Sequence, residues 1–217
     1  MVQIETGINL VYRFDNILDE TICDEMIEYL KSNTNIVSYH DNPDNLEAQP
    51  YNYSLQIEQC RDPLKSVIDD YASKLAATIA ESQNTSMFTE TVATVYWRNG
   101  TSMDWHPDIR DKNTMSEEEL AAHPKNSSLF TRDFTAITYL NDDYEGGETL
   151  VTAKGQMPTQ ENVTQFASKP KKGSVVIYDS ACFHKVNEVK GSRFTLAMFF
   201  TKEYEYSYWK RIGKEKP

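Results

Sequence analysis

Apolar positions in the first part of the chain recur with helical spacing. In one segment Asp19 stands where an N-cap belongs, with Ile22, Met26, Ile27 and Leu30 following on one side and the pattern ending near Ser32. In a second, Asp62 takes the cap and Pro63 the first helical position, ahead of Leu64, Val67, Ile68, Tyr71, Leu75 and Ile79. The stretch between them, Asn33 to Gln59, is polar and reads as a loop with room for one strand. From Thr91 the period changes to two. Strands are expected at Thr91–Arg98, Phe134–Leu140, Glu148–Thr152, Val163–Phe166, Ser174–Tyr178, Phe183–Asn187 and Arg193–Thr201. In the second of these, Thr135, Ile137 and Tyr139 share one face and Ala136, Thr138 and Leu140 the other. Turn residues at Asn99-Gly100, Gly146-Gly147 and Lys190-Gly191 punctuate the pattern. It predicts a mainly β sandwich or barrel with supporting helices (an α+β chain), the helices packed on one face. One connection, Ile109 to Thr131, is long and holds a short helix at Glu117–Ala122, for which Ser116 and Glu119 form a capping box. Its place directly after a candidate metal motif suggests a lid.

Composition narrows the class. At 217 residues, with 39% hydrophobic and 25% charged positions, the chain suits one globular domain. No apolar run reaches the roughly 18 residues of a membrane span, and the N-terminus MVQIETGINL does not read as a signal peptide. No membrane partner is expected. Cys23, Cys60 and Cys182 show no paired spacing and read as reduced thiols, which suggests a cytoplasmic protein. The formal charge of −11 makes nucleic acid a poor partner, since an acidic surface repels phosphates. The basic end, Lys210 to Lys216, reads as a solvated tail.

The candidate chemistry centres on Trp105-His106-Pro107-Asp108. On an extended backbone, residues two apart project from the same face, so the imidazole and carboxylate can meet one ion. Pro107 cannot donate a ladder hydrogen bond and places the motif at a strand end. His184 is the third candidate ligand. Two histidines and one carboxylate leave coordination positions open, as non-haem Fe(II) oxygenases require. A His-x-Asp pair alone is weak evidence. It gains weight from Arg193, which a turn at Glu188–Ser192 returns beside the His184 strand. Arg193 shares its face with Thr195, Ala197 and Phe199; if that face is interior, the buried guanidinium needs an anion. That anion is either a ligand carboxylate or an internal Asp or Glu.

Taken in order, Tyr96, Asn99-Gly100-Thr101, His106, Asp108, Arg132, Thr138-Tyr139-Leu140-Asn141, Gly146-Gly147-Glu148-Thr149, Gly173–Ile177, His184 and Arg193 resemble the 2-oxoglutarate- and Fe(II)-dependent dioxygenases, specifically their prolyl hydroxylase branch. The likeness runs over residues 91 to 201 and includes that branch's nine-residue step from distal histidine to arginine. It implies a double-stranded β-helix, a cupin-like jelly roll, as the catalytic core over 91–201, with a helical support region over 1–90 and a tail over 202–217. It implies Fe(II) on His106, Asp108 and His184, and O2 and 2-oxoglutarate as co-substrates, with ascorbate as a candidate reductant. Arg193 would bind the distal carboxylate with a hydrogen bond from Tyr139, and Tyr96 would stand near co-substrate or substrate. Arg132 either reaches the substrate or closes an ion pair, and Trp105 is a further candidate for the substrate groove beside Trp97 and Trp209. The implied substrate is a prolyl residue in a peptide or protein. A free amino acid or other small molecule, and a non-catalytic jelly-roll binding module, are the alternatives. Cys182, two before His184, reads as a small buried thiol, and His40 and His123 as solvated.

Overall fold

The computed structural model describes residues 2–33, 38–39, 53–109, 115–117, 130–159, 161 and 163–213. The expected lid and its helix lie outside the described residues except at their ends, as do His40, His123 and most of the polar segment after Asn33.

Both amphipathic segments are helices. α1 spans Glu20–Ser32, with the Asp19 carboxylate accepting from the Thr21 amide, and buries Cys23, Met26, Ile27 and Leu30. α2 spans Leu64–Gln83 and buries Leu64, Ile68, Tyr71, Leu75 and Ile79, while Asp62 accepts from the Ser66 amide. Val67 remains on the solvent side. Among the described residues, no helix is long and apolar enough to cross a membrane.

The strands are β1 (Val2–Ile4), β2 (Val11–Asp15), β3 (Ser38–Tyr39), β4 (Tyr53–Gln56), β5 (Phe88–Trp97), β6 (Met103–His106), β7 (Phe134–Tyr139), β8 (Glu145–Gly146), β9 (Thr149–Thr152), β10 (Gln165–Ser168), β11 (Val175–Asp179), β12 (His184–Val186), β13 (Val189–Lys190) and β14 (Arg193–Thr201). An eight-stranded sheet runs β1-β2-β11-β7-β14-β5-β4-β3, a four-stranded sheet runs β10-β9-β12-β6, and β13 pairs with β8. The two larger sheets face one another as the double-stranded β-helix.

Alternation decides what each face of the large sheet meets. Phe194, Leu196, Met198 and Phe200 of β14 join Phe134 and Ala136 of β7 and Val175 and Ile177 of β11 in the core beneath the two helices. The intervening residues, Arg193, Ile137 and Tyr178 among them, turn inward to the small sheet.

One expectation changes. The first 90 residues are not only helical support, because β2 pairs with β11 inside the large sheet, Val11 opposite Tyr178 and Phe14 opposite Val175. Arg13 disguises this strand. Its charge is buried there because Asp15, Ser168 and Ser174 accept its N–H groups. Of the basic end, Lys210, Arg211, Ile212 and Gly213 are exposed, while the tail before it is anchored. Tyr208, on the short helix α3 (Tyr208–Arg211), is buried and hydrogen bonded to Lys65, and Arg211 donates to the Glu90 carbonyl and pairs with Glu58.

Leu196→Ala, in the core beneath the helices, is expected to cost about 2–5 kcal/mol in urea unfolding. Val67→Ala on the open side of α2 is expected to stay within about 0.5 kcal/mol. Equal losses would contradict the assigned facing of these elements.

Candidate metal centre

In the antiparallel pairing of β12 with β6, His184 lies directly opposite His106. Their rings sit 4.2 Å apart. The chain leaves the strand at Pro107, and the Asp108 amide donates to the Ser180 carbonyl (2.9 Å), which holds Asp108 beside the pair. One donor atom from each of His106, Asp108 and His184 lies within 4.8 Å of the other two. His184 Nε2 stands 3.4 Å from Asp108 Oδ2.

The surroundings fix these groups in a ligand-ready form. His106 Nδ1 lies 2.7 Å from the Asp104 carbonyl oxygen, which can only accept, so Nδ1 carries the proton and Nε2 is left as the donor atom. His184 makes the same kind of contact to the Cys182 carbonyl. Burial lowers the His184 pKa below that of a free imidazole, against the opposing pull of Asp108, and keeps the ring neutral. Thr135 on β7 donates to Asp108 Oδ2 at 2.7 Å and contacts the Ser180 hydroxyl at 3.0 Å. Sequence reasoning placed Thr135 on the face of Ile137 and Tyr139 but gave it no role.

The triad opens into a pocket of about 340 Å³ between the sheets, which Arg193 also lines. Arg193 is 1% exposed and pairs with no carboxylate among the described residues. Its Nε has no hydrogen-bond partner, and its Nη2 donates to Thr149 Oγ1 at 3.3 Å. The guanidinium carbon lies 4.9 Å from the Trp97 ring centroid and 5.4 Å from that of Tyr139. Aromatic faces offset part of the cost of burying a cation. They leave its charge uncompensated. Two imidazole nitrogens, a carboxylate oxygen and a buried, unpaired guanidinium in one pocket make a donor set that fits Fe(II) and a dicarboxylate.

The remaining candidates divide. Arg132 lines the pocket, with its guanidinium 3.6 Å above the Phe199 ring, and it also closes a 2.9 Å ion pair with the buried Glu90. Tyr139 lies beside Arg193, but its hydroxyl is engaged by Thr149 Oγ1 (2.9 Å) and the Ser168 carbonyl (2.8 Å) and does not line the pocket. Tyr96 is a correction. Opposite Phe194 in the β5–β14 register, it points to the helix side and packs on the Phe194 ring, while its neighbours Val95 and Trp97 turn inward. Trp105 is a second correction for the same reason. His106 takes the inward position on β6, so Trp105 faces outward beneath Lys185. Cys182 is buried in the apolar cluster, and burial pushes its thiol up to about 12. Thr149 was legible only as part of the Gly-Gly-Glu-Thr motif, and its contact with Arg193 needed the fold.

Residues 91–201 match the model of the 2OG-Fe(II) oxygenase superfamily. Over 111 residues the chain is 32% identical to prolyl 3-hydroxylase 2 of Homo sapiens, a match covering 49% of this chain and 15% of that protein. The chain thus corresponds to a small part of the curated relatives it matches. Its fold is similar to that of a Pseudomonas putida prolyl-4-hydroxylase (TM-score 0.64, 11% identity, 89% of this chain and 93% of that one). It is also similar to a Trichoplax adhaerens prolyl hydroxylase solved with a hypoxia inducible factor peptide fragment (TM-score 0.63, 13% identity, 95% and 88%).

Thr135→Val removes the donor to Asp108 while keeping its volume. It is expected to weaken Fe(II) binding about 10–100-fold, read by competition with a chelating dye. Unchanged affinity would show that Thr135 does not orient the carboxylate.

Proposed function

The chain belongs to the 2OG-Fe(II) oxygenase superfamily, and on that premise we propose that it is a 2-oxoglutarate-dependent dioxygenase hydroxylating a prolyl residue in a peptide or protein. The observation that carries the cofactor reading is the buried guanidinium of Arg193, without a carboxylate partner, in the same pocket as His106, Asp108 and His184. When bound, Fe(II) and 2-oxoglutarate would supply with O2 the oxidative decarboxylation that yields succinate, CO2 and a C–H converted to C–OH.

The chain's own residues bind, orient and exclude water. His106, Asp108 and His184 would hold the metal, and Thr135, whose hydroxyl also contacts that of Ser180, donates to the Asp108 carboxylate. Arg193 takes the distal carboxylate of the co-substrate, with Thr149 beside it. Ala93, Val95, Ile137, Met103 and Val186 form apolar walls that keep the pocket dry.

The substrate reading rests on the shape of the pocket and on the names of the relatives. Arg193 and Phe199 both line it and stand six residues apart on β14, about 20 Å at strand rise. The Phe199 end carries Gln56, Thr91 and Arg132, groups able to hydrogen bond peptide amides, well away from the Arg193 end. A prolyl ring suits this arrangement: it can lie against Phe199 and Ala197 while its flanking amides meet the polar groups.

The test is anaerobic loading with Fe(II) and 2-oxoglutarate, then O2 in the presence of a proline-containing peptide library. A mass gain of one oxygen on a prolyl peptide, with succinate, is expected. His106→Ala, Asp108→Ala and His184→Ala should each abolish succinate formation, and turnover retained in all three removes the metal assignment. Oxygen incorporated only into free proline or another small molecule favours the small-substrate alternative. Tight 2-oxoglutarate binding with no succinate favours a binding module.

A further inference from the structure

The pocket holds a second arginine, and electrostatically it is the opposite of Arg193. Arg132 stands just before β7 and lines the end of the pocket that carries Phe199 and Thr91. Its Nε donates to Glu90 Oε2 at 2.9 Å, and its guanidinium lies 3.6 Å from the Phe199 ring centroid. Glu90, on β5, is 2% exposed, and its other oxygen accepts from the Thr91 hydroxyl at 2.6 Å. The Glu90 main chain is held too, since its carbonyl accepts from Arg211, whose own charge is met by Glu58.

The ion pair takes one edge of the Arg132 guanidinium and the aromatic ring takes one face. Among the described residues its two amino groups have no hydrogen-bond partner, and both keep accessible surface. They are donors with no net charge behind them, because the Glu90 carboxylate cancels the guanidinium at contact distance. Such a donor favours a neutral acceptor. A carbonyl gains the hydrogen bond, whereas a carboxylate brought to the same place also meets the buried charge of Glu90. Arg193 has no carboxylate partner among the described residues, so the two ends of one pocket differ in what they can take.

We propose that Glu90 is a specificity-determining residue: by holding and neutralising Arg132, it fits the Phe199 end of the pocket to a backbone carbonyl beside the target proline and sets that end against anionic groups. The assignment rests on the substrate reading above. Glu90 acts through Arg132 and is a positioning residue, and carboxylates are left to the Arg193 end.

The test uses two acetylated peptides of a sequence taken from the prolyl library, ending at the target proline either as a carboxamide or as a free carboxylate. The full chain is loaded with Fe(II) and 2-oxoglutarate. Wild type is expected to turn over the carboxamide with the higher kcat/KM, the difference lying in KM. Glu90→Gln should shift the ratio of the two kcat/KM values about tenfold toward the carboxylate, the step from a hydrogen bond between neutral partners to one between charged partners. A general loss of folded protein lowers both rates alike and leaves this ratio unmoved. The double variant Glu90→Gln, Arg132→Met carries no unbalanced charge. It should raise KM for the carboxamide about tenfold, while Kd for 2-oxoglutarate, titrated without O2, changes less than about threefold. A ratio unmoved by Glu90→Gln, a wild type that prefers the carboxylate, or an unchanged KM in the double variant would each overturn the inference and leave the substrate reading standing. A library that yields no prolyl substrate would overturn both.

Discussion

A guanidinium closed off from water with no carboxylate beside it is the constraint on which this structure turns. Arg193 is almost wholly buried, on a strand whose partners on either side belong to the large sheet. An isolated buried charge is among the most expensive features a fold can carry. Trp97 and Tyr139 supply aromatic faces and Thr149 one oxygen. The backbone also makes way for it. Gly147 adopts φ +64°, and a Cβ there would meet Tyr144 at 2.8 Å and the Arg193 stem at 3.1 Å. A dicarboxylate bound as proposed would supply what these neighbours lack. It would complete a charge that the protein has already desolvated, in the pocket that also holds His106, Asp108 and His184.

Strand register distributes every other role. Pairing His184 with His106 brings two ligands onto adjacent positions of the small sheet. Pairing Arg193 with Trp97, and Tyr178 with Thr135, puts their side chains on the opposing wall. A one-residue shift in any of these strands would send the site residues to the outside and helix-facing residues to the inside. The helices beneath the large sheet matter for this reason: Leu30, Ile68, Leu75 and Ile79 lock one face and so specify the other.

Much of this was legible in the sequence, and the losses have physical causes. Both helices, the late strands and the set of residues that share a face with Arg193 followed from periodicity, because long amphipathic patterns are set by burial alone. The His106, Asp108 and His184 cluster was legible through spacing and order along the chain. Tyr96 and Trp105 were misplaced because a motif records which residues recur, whereas facing is settled by register, and each stands one position from a residue that does turn inward. β2 was hidden because the buried Arg13 broke an apolar pattern, and two of the groups that satisfy it lie 155 and 161 residues away. Thr135 and Thr149 carried no sequence signal strong enough to distinguish them from ordinary strand residues. Their roles arise from what the fold sets opposite them.

The central claim is that Arg193 is a charge awaiting a carboxylate, and Arg193→Met tests it most directly through stability with and without 2-oxoglutarate. Without co-substrate the variant should be at least as stable as wild type, by up to about 4 kcal/mol, since an apolar side chain replaces an unpaired buried cation. Saturation at about 100 times Kd should stabilise Fe(II)-loaded wild type by about 2.7 kcal/mol and leave the variant unmoved at the same concentration. A variant weakened by several kcal/mol in the absence of ligand, yet still stabilised by 2-oxoglutarate as strongly as wild type, would show that Arg193 serves the fold and that the carboxylate binds elsewhere.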